Sequence, residues 1–102
     1  MKSQNDSTTR IKKIMFSNEG WEDYEYLQKV HPKQFKKLSA LIKQCRRTPF
    51  EGEGKPEELK YDLSGYWSRR IDRENRLVYC VSEDPDDSNS SILYIIQCRY
   101  HY

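Results

Sequence analysis

Ionisable side chains are concentrated at the ends of the short β-like segments in the second half of the chain. They combine carboxylates, a histidine and several guanidiniums, at Glu57, Lys60, Arg69, Arg70, Arg73, Glu74, Arg76, Arg99 and His101. Because an antiparallel sheet brings residues that are distant in sequence side by side, one sheet face can present several of them together as a basic cleft. Arginine offers phosphate oxygens a planar, two-pronged donor, so such a cleft favours a ligand that carries phosphates.

Metal-free RNA cleavage needs three kinds of side chain, and this region contains all of them. A base removes the proton of the ribose 2′-hydroxyl, a cation stabilises the charge that develops on phosphorus, and an acid protonates the leaving 5′-oxygen. The sequence has neither a carboxylate cluster for Mg²⁺ nor zinc-type Cys/His spacing, which disfavours a metal nuclease. Aromatic residues that could stack on bases lie nearby, at Tyr66, Trp67, Tyr100 and Tyr102. The alternative is structural, because a lone histidine is more often structural than catalytic and the aromatic rings can simply pack against the sheet.

The segment 32–50 carries six basic residues and no acidic one. Pro32 is tolerated only in the first turn of a helix, and the apolar residues after it recur at helical spacing, which predicts a helix from Pro32 to about Arg47. Its predicted buried arc is Phe35, Leu38, Leu41, Ile42 and Cys45. Its basic residues, here called the basic helix face, are Lys33, Lys36, Lys37, Lys43, Arg46 and Arg47. Both a solvated face that keeps the protein soluble and a face that grips a polyanion are compatible with this pattern.

The other elements follow from periodicity and turn residues. A strand is predicted at Ile11–Phe16, followed by a helix that Ser17 and Asn18 cap and that buries a stripe made of Trp21, Tyr24 and Leu27. Turn residues at Ser64-Gly65 and 72–75 separate β-like runs, and the polar segments 48–56 and 84–91 are predicted to be loops. These runs are 58–63, 66–71, 77–81 and 92–98, the last apolar enough for an internal strand. The sequence therefore predicts an α+β fold in the order β-α-α-β-β-β-β, with an antiparallel twisted sheet and two N-terminal helices on one face.

Length and composition limit the organisation of the chain. Its 102 residues, 35% hydrophobic and 33% charged, suffice for one small domain, predicted at 11–102 after a flexible arm at 1–10. The apolar runs are short and the first ten residues are polar, so neither a membrane span nor a signal peptide is expected. Three cysteines without metal-type pairing fit reduced thiols in the cytoplasm.

Four motifs in order resemble the YoeB toxins of the RelE superfamily. They are Arg46–Glu57, Leu63–Ile71, Arg76–Tyr79 and Cys98–Tyr102. The resemblance extends from Ile11 to Tyr102 and implies the RelE-like fold. It also implies a toxin that cleaves mRNA in the ribosomal A site and leaves a 2′,3′-cyclic phosphate and a 5′-hydroxyl, without a metal or other cofactor.

The resemblance assigns roles to residues at matching motif positions. Glu57 resembles the general base, Arg76 the residue that stabilises the transition state, and His101 the general acid. Glu74 is expected to orient Arg76, and Tyr102 to position the RNA or the histidine. Expected RNA or phosphate contacts are Lys55, Lys60, Arg69, Arg70 and Arg99, and the basic helix face is expected to dock on ribosomal RNA.

Partners also follow from the resemblance. A YefM-like antitoxin with a disordered acidic tail is expected to cover the cleft, the toxin is expected to form a homodimer, and operator DNA is contacted only through the antitoxin. The alternative hypothesis is a non-catalytic binding module that acts with its antitoxin as a co-repressor on DNA. The chain departs from the family pattern in the arm 1–10, in the polar segment 84–91, and at Glu58, where proline is common.

Overall fold

A computed structural model describes residues 10–100, which form two helices and five strands around one core. In chain order these are β1 (Ile11–Phe16), α1 (Asn18–Val30), α2 (Pro32–Arg47), β2 (Glu57–Glu58), β3 (Trp67–Arg70), β4 (Arg76–Asp84) and β5 (Asp87–Gln97). The predicted α+β class and element order are confirmed. Neither helix of the described chain is long and apolar enough to cross a membrane.

The five strands form one mixed sheet in the order β1-β5-β4-β3-β2. The strand pairs of the second half are antiparallel, as predicted, but β1 runs parallel to β5. The prediction of a wholly antiparallel sheet is therefore wrong for this pair. Short turns dictate antiparallel pairing only between strands that are consecutive in sequence, whereas two helices follow β1 and leave its direction to the packing of the helix layer.

Both helices pack on one face of the sheet and close the core there. Ser17 caps α1, since its Oγ accepts a hydrogen bond from Gly20 N at 2.9 Å. A Cβ at Gly20 would lie 2.6 Å from the Ile95 carbonyl oxygen, so glycine lets α1 approach β5 closely. Trp21 is not buried as predicted; it is 46% exposed and stacks on Tyr24 at the edge of the core. The core unites both helices with three strands, through Ile11, Leu27, Leu38, Leu41, Ile42, Cys45, Leu77, Tyr79, Leu93 and Ile95.

The predicted strand 58–63 is mostly absent. β2 comprises only Glu57 and Glu58, and a 3₁₀ turn occupies Tyr61–Leu63. Leu59 N still donates to the Tyr66 carbonyl, but after it the N–H groups of Leu63 and Ser64 donate to the Lys60 and Tyr61 carbonyls, so these hydrogen bonds are local. Alternation of apolar residues in so short an edge segment does not distinguish a strand from a turn.

The segment 84–91, predicted to be a polar loop, instead extends the β4–β5 hairpin. Asp84 pairs with Asp87, and only two residues connect the strands. The polar side chains are accommodated because the buried Asp84 carboxylate forms an ion pair with Lys13 of β1, Nζ to Oδ2 2.9 Å. The prediction relied on apolar residues to recognise a strand. This hairpin is stabilised instead by backbone hydrogen bonds and by the ion pair. Arg10, placed in the predicted arm, accepts a hydrogen bond from Ser91 N; the rest of the arm lies outside the described residues.

Candidate functional site

The sheet face opposite the helices carries a predicted catalytic carboxylate and two arginines. Leu77 is fully buried in the core, so its neighbour Arg76 lies on the opposite face. Arg70 is directly across from Arg76 in the β3–β4 register and shares that face. Glu57 pairs with Ser68, two residues before Arg70, and therefore lies on this face as well. The structure brings these predicted residues onto one surface.

Arg70 and Arg76 form a like-charge pair at directly facing positions. Such pairs destabilise a sheet unless a counter-charge lies between them. None of the ion pairs found among residues 10–100 involves either arginine, but the Asp72 carboxylate interacts with Arg76, whose charge helps to lower the pKa of that carboxyl. One carboxylate offsets only part of the charge of two guanidiniums. The arrangement lowers the cost of binding an anion, because a phosphate group would relieve the repulsion between the guanidiniums.

A cavity of about 560 Å³, here called the arginine cavity, opens beside this pair. It is lined by Lys37, Gly54, Lys55, Arg70, Ile71, Asp72, Arg73 and Arg76. Its cations come from α2, the loop before β2 and the β3–β4 turn, which the fold alone brings together. Gly54 is required here: its φ is +82°, and a Cβ would meet the Arg70 carbonyl oxygen at 3.1 Å.

The turn between β3 and β4 fixes the Arg76 guanidinium. Its Nη1 donates to the carbonyl oxygens of Asp72, at 2.9 Å, and Asn75, at 3.2 Å. The predicted orienting residue Glu74 is exposed and lines a different cavity, and no hydrogen bond or ion pair found among residues 10–100 joins its side chain to Arg76. Burial alone would raise the pKa of the Asp72 carboxyl, but hydrogen bonds from Glu74 N and Asn75, together with the nearby Arg76 charge, outweigh it and lower the pKa. The charged form of Asp72 is thus favoured, and its Oδ1 accepts from the backbone N–H groups of Glu74 and Asn75 in the turn that holds Arg76.

Arg69, predicted to contact RNA, is instead enclosed by the protein. It is fully buried, and its guanidinium donates five hydrogen bonds inside the protein. The acceptors are Tyr79 Oη, Gln44 Oε1 and the carbonyl oxygens of Thr48, Glu51 and Glu53. Its position on β3, one residue before Arg70, puts it on the helix face. Arg69 therefore ties the loop before β2 to the core.

The aromatic residues divide between packing and exposure. Trp67 packs against the core and against Phe50, ring centroids 4.8 Å apart, which confirms the structural alternative for this residue. Tyr66 is half-buried, and its burial raises the pKa of the phenol. Tyr100 is 60% exposed, so among the described candidates it is the ring most open to a base.

The chain end forms a second cavity of about 460 Å³, here called the C-terminal cavity. It is lined by Tyr26, Leu27, His31, Glu74, Asn75, Arg99 and Tyr100. The Arg99 guanidinium lies over the rings of Tyr26 and Tyr100, 3.6 and 4.5 Å from their centroids. Arg99 is thus held away from the arginine cavity, where it had been expected to contribute. The predicted acid His101 and its neighbour Tyr102 lie outside the described residues.

The basic helix face separates into groups with different surroundings. Lys37 lines the arginine cavity, whereas Lys43, Arg46 and Arg47 line a third cavity of about 620 Å³ together with Gln44 and Glu53. Lys33 and Lys36 are exposed and line none of the three cavities. The same is true of Lys60, which precedes β3 and is not part of this helix face. The predicted docking surface is therefore basic and accessible, but one of its members belongs beside the catalytic candidates.

Comparison with known proteins identifies the family. Residues 16–102 match the model of the YoeB-like toxins of bacterial type II toxin–antitoxin systems. The chain is also 53% identical over 90 residues to the toxin YoeB of Escherichia coli K12, which covers 88% of this chain and 99% of that protein. The chain belongs to this family. It is therefore a toxin of a type II toxin–antitoxin system.

Solved structures agree with this membership in a YoeB-like family. A YoeB/ParE toxin from Agrobacterium tumefaciens superposes with a TM-score of 0.81 at 45% identity, covering 89% of this chain and all of that one. A YoeB dimer from Staphylococcus aureus superposes with a TM-score of 0.74 at 46% identity, covering 91% of this chain and 99% of that one. A YoeB–YefM complex from the same organism has a TM-score of 0.73, with the same identity and coverage. The predicted RelE-like fold and the recognised family are confirmed.

Sequence reasoning missed the residues that organise the YoeB-like site. Asp72 and Asn75 were interpreted only as turn residues, and Lys37 only as part of the docking surface. A signal for the first two was available, because aspartate followed by asparagine three residues later is typical of a turn in which the carboxylate accepts backbone N–H groups. Lys37 has no comparable sequence signal, because its proximity to Arg70 depends on how α2 packs.

Proposed function

We propose that this toxin is an endoribonuclease that cleaves mRNA in the A site of the ribosome, in the cytoplasm, by general acid–base catalysis without a metal. The observation that supports the proposal best is the facing pair Arg70 and Arg76, which forms no ion pair within the described residues and lies on one sheet face with Glu57. A phosphodiester fits this arrangement, since its negative charge balances the excess positive charge of the two guanidiniums.

The reaction assigned to this site uses the hydroxyl of the substrate as nucleophile. Glu57 accepts the proton of the ribose 2′-OH as the 2′-oxygen attacks phosphorus. Arg76, with Arg70 beside it, stabilises the negative charge of the phosphorane. The bond from phosphorus to the 5′-oxygen breaks, and His101 donates the proton that this oxygen takes up. The products are a 2′,3′-cyclic phosphate and a 5′-hydroxyl.

Contacts outside the reacting atoms follow the same logic. Lys55, Lys37 and Arg73 line the arginine cavity and are suited to neighbouring phosphates of the strand. Lys60, exposed and two residues after β2, is assigned to phosphate contact, and Tyr102 is assigned to positioning RNA or His101. The rest of the basic helix face is assigned to ribosomal RNA.

We also infer the partners of the toxin. A YefM-like antitoxin is supported by the YoeB–YefM complex from S. aureus, and a homodimer by the YoeB dimer from the same organism. An acidic tail of such an antitoxin would supply carboxylates to pair with Arg70 and Arg76, which form no ion pair within the described residues. Binding of this tail and of mRNA would then be mutually exclusive.

Primer extension on an mRNA translated in a purified system tests the proposed activity. We expect wild-type toxin to produce cuts inside A-site codons with ribosomes, and none on the same RNA without them. Cleavage in the ribosome-free reaction would show that the ribosome is dispensable and would contradict the proposal. Absence of cuts by folded protein in both reactions would favour the non-catalytic co-repressor. The 3′ ends should resist ligation until the cyclic phosphate is removed.

The basic helix face yields a separate prediction. Replacing Lys43 and Arg47 together by Glu should weaken ribosome binding and reduce its dependence on salt, because each lost phosphate contact lowers the slope of log K against log[salt] by about 0.7–0.9. Arg46 is left in place because its Nη2 donates to the Ile11 carbonyl, at 3.4 Å. Cosedimentation with ribosomes over a salt series measures both quantities.

A charge-matched control distinguishes docking from net charge. Replacing Arg10 and Lys29 by Glu changes the net charge equally at two exposed sites that line none of the three cavities. We expect this variant to cosediment almost like the wild type. Equal loss of binding in both variants would show that overall charge, and not this surface, governs the interaction.

A further inference from the structure

The last described residue is attached to the turn that carries Arg76. The Tyr100 N–H donates to Asn75 Oδ1 at 2.8 Å, and the Tyr100 carbonyl accepts from Arg76 N at 3.1 Å. Both polar groups of the Tyr100 backbone are therefore bound by two consecutive residues of the turn. The second of these contacts involves the peptide group that joins Tyr100 to His101.

The backbone of Tyr100 has a conformation that needs such support. Its φ is +64°, in the left-handed region that residues other than glycine rarely adopt. Non-glycine residues persist in this region only where the surroundings hold them, and they are enriched at functional sites. Here the chain end is also held by Gln97, whose Nε2 donates to the Arg99 carbonyl at 2.7 Å. The direction in which the chain leaves β5 is thus set by several contacts.

The Asn75 side chain links this chain end to the Arg76 turn. Its Nδ2 donates to the Asp72 carboxylate, at 3.1 and 3.2 Å, which leaves Oδ1 to accept from Tyr100. The Asp72 and Asn75 carbonyls accept in turn from the Arg76 guanidinium. The turn 72–75 therefore orients the Arg76 side chain and also fixes the backbone of Tyr100, which precedes the proposed acid in the sequence.

We propose that Asn75 is a positioning residue that fixes the backbone of Tyr100 relative to Arg76, and with it the start of the chain end that carries the proposed acid. This inference rests on the proposed function, because it concerns the same RNA-cleaving site. An acid and an electrostatic stabiliser must lie on defined sides of one phosphate, and a misplacement of about 1 Å can cost on the order of 100-fold in rate. Asn75 touches neither substrate nor reacting atoms in this scheme; it acts through the backbone of Tyr100.

The test compares two substitutions at position 75 in single-turnover cleavage of mRNA on stalled ribosomes. Asn75→Ala removes the acceptor for Tyr100 N, and we expect the maximal rate to fall by about 10–100-fold while the half-saturating toxin concentration is unchanged. Asn75→Asp keeps that acceptor but places a second carboxylate beside Asp72. A positioning role predicts more activity for Asn75→Asp than for Asn75→Ala, even though the aspartate destabilises the turn more.

The controls separate this inference from stability and from the proposed function. Asn89→Ala, at an exposed position in the β4–β5 hairpin, should cleave at the wild-type rate. Thermal unfolding of each variant verifies the fold, and exchange of the Tyr100 amide hydrogen should be faster in Asn75→Ala than in Asn89→Ala. Active wild type with an unchanged rate in Asn75→Ala, or activities that only follow thermal stability, would overturn the inference alone. An inactive wild type would overturn the proposed function and the inference with it.

Discussion

Replacing Arg76 by Ala is expected to lower the maximal rate of mRNA cleavage by about 10²–10³-fold, the usual effect of removing one preorganised donor from a developing charge. Two backbone carbonyls hold Nη1 of this guanidinium in place. The donor therefore needs little reorganisation when the phosphorane forms, and its effect appears in the rate more than in binding. Single-turnover cleavage on stalled ribosomes, at saturating toxin, measures this rate directly.

Matched variants make the Arg76 result specific. Arg76→Lys keeps the charge but loses the two-pronged donor and its contact with the turn, so we expect only partial recovery of the rate. Lys29→Ala removes a cation from an exposed site on α1 and should leave the rate unchanged. If Arg76→Ala cleaves within about threefold of the wild type while remaining folded, the electrostatic role assigned to Arg76 is wrong. Ribosome binding by all three variants should be similar.

The sequence predicted best the elements whose formation depends on residues close to one another in the sequence. Apolar spacing and Pro32 place α2 correctly, since these signals are local to the helix. The direction of β1 and the extension of the β4–β5 hairpin were mispredicted, because both depend on partners distant in sequence. The polar hairpin, for example, is stabilised by Asp84 meeting Lys13, a contact that no local pattern contains.

The candidate site shows the same division. Alternation within strands is sufficient to put Arg70 and Arg76 on one face, once the register is known. Whether an arginine in such a strand binds a ligand or the protein itself depends on which face is covered, and two adjacent arginines necessarily point to opposite faces. The sequence identified a basic pair at 69 and 70 but could not tell which member was buried.

These adjacent arginines give the prediction with the largest effect on stability. Arg69→Met should lower the free energy of unfolding by about 3 kcal/mol or more, because the guanidinium that satisfies five acceptors disappears and buried acceptors lose their donor. Tyr79, whose hydroxyl accepts from Arg69, loses a neighbour that is central to the core. Urea denaturation followed by circular dichroism measures the loss as a lower midpoint.

Arg70→Met is the matched control, one residue away on the same strand. Arg70 is exposed and lines the arginine cavity, so its loss should change the free energy of unfolding by less than about 0.5 kcal/mol while reducing cleavage. Arg69→Met should reduce cleavage as well, but through the loop before β2, since the carbonyls of Thr48 and Glu51 lose their tie to the core. If the two variants were equally stable, the hydrogen bonds of buried Arg69 could not be what holds the loop before β2 to the core. Unequal stability with similar loss of cleavage would separate the arginine that builds the site from the arginine that meets the phosphate.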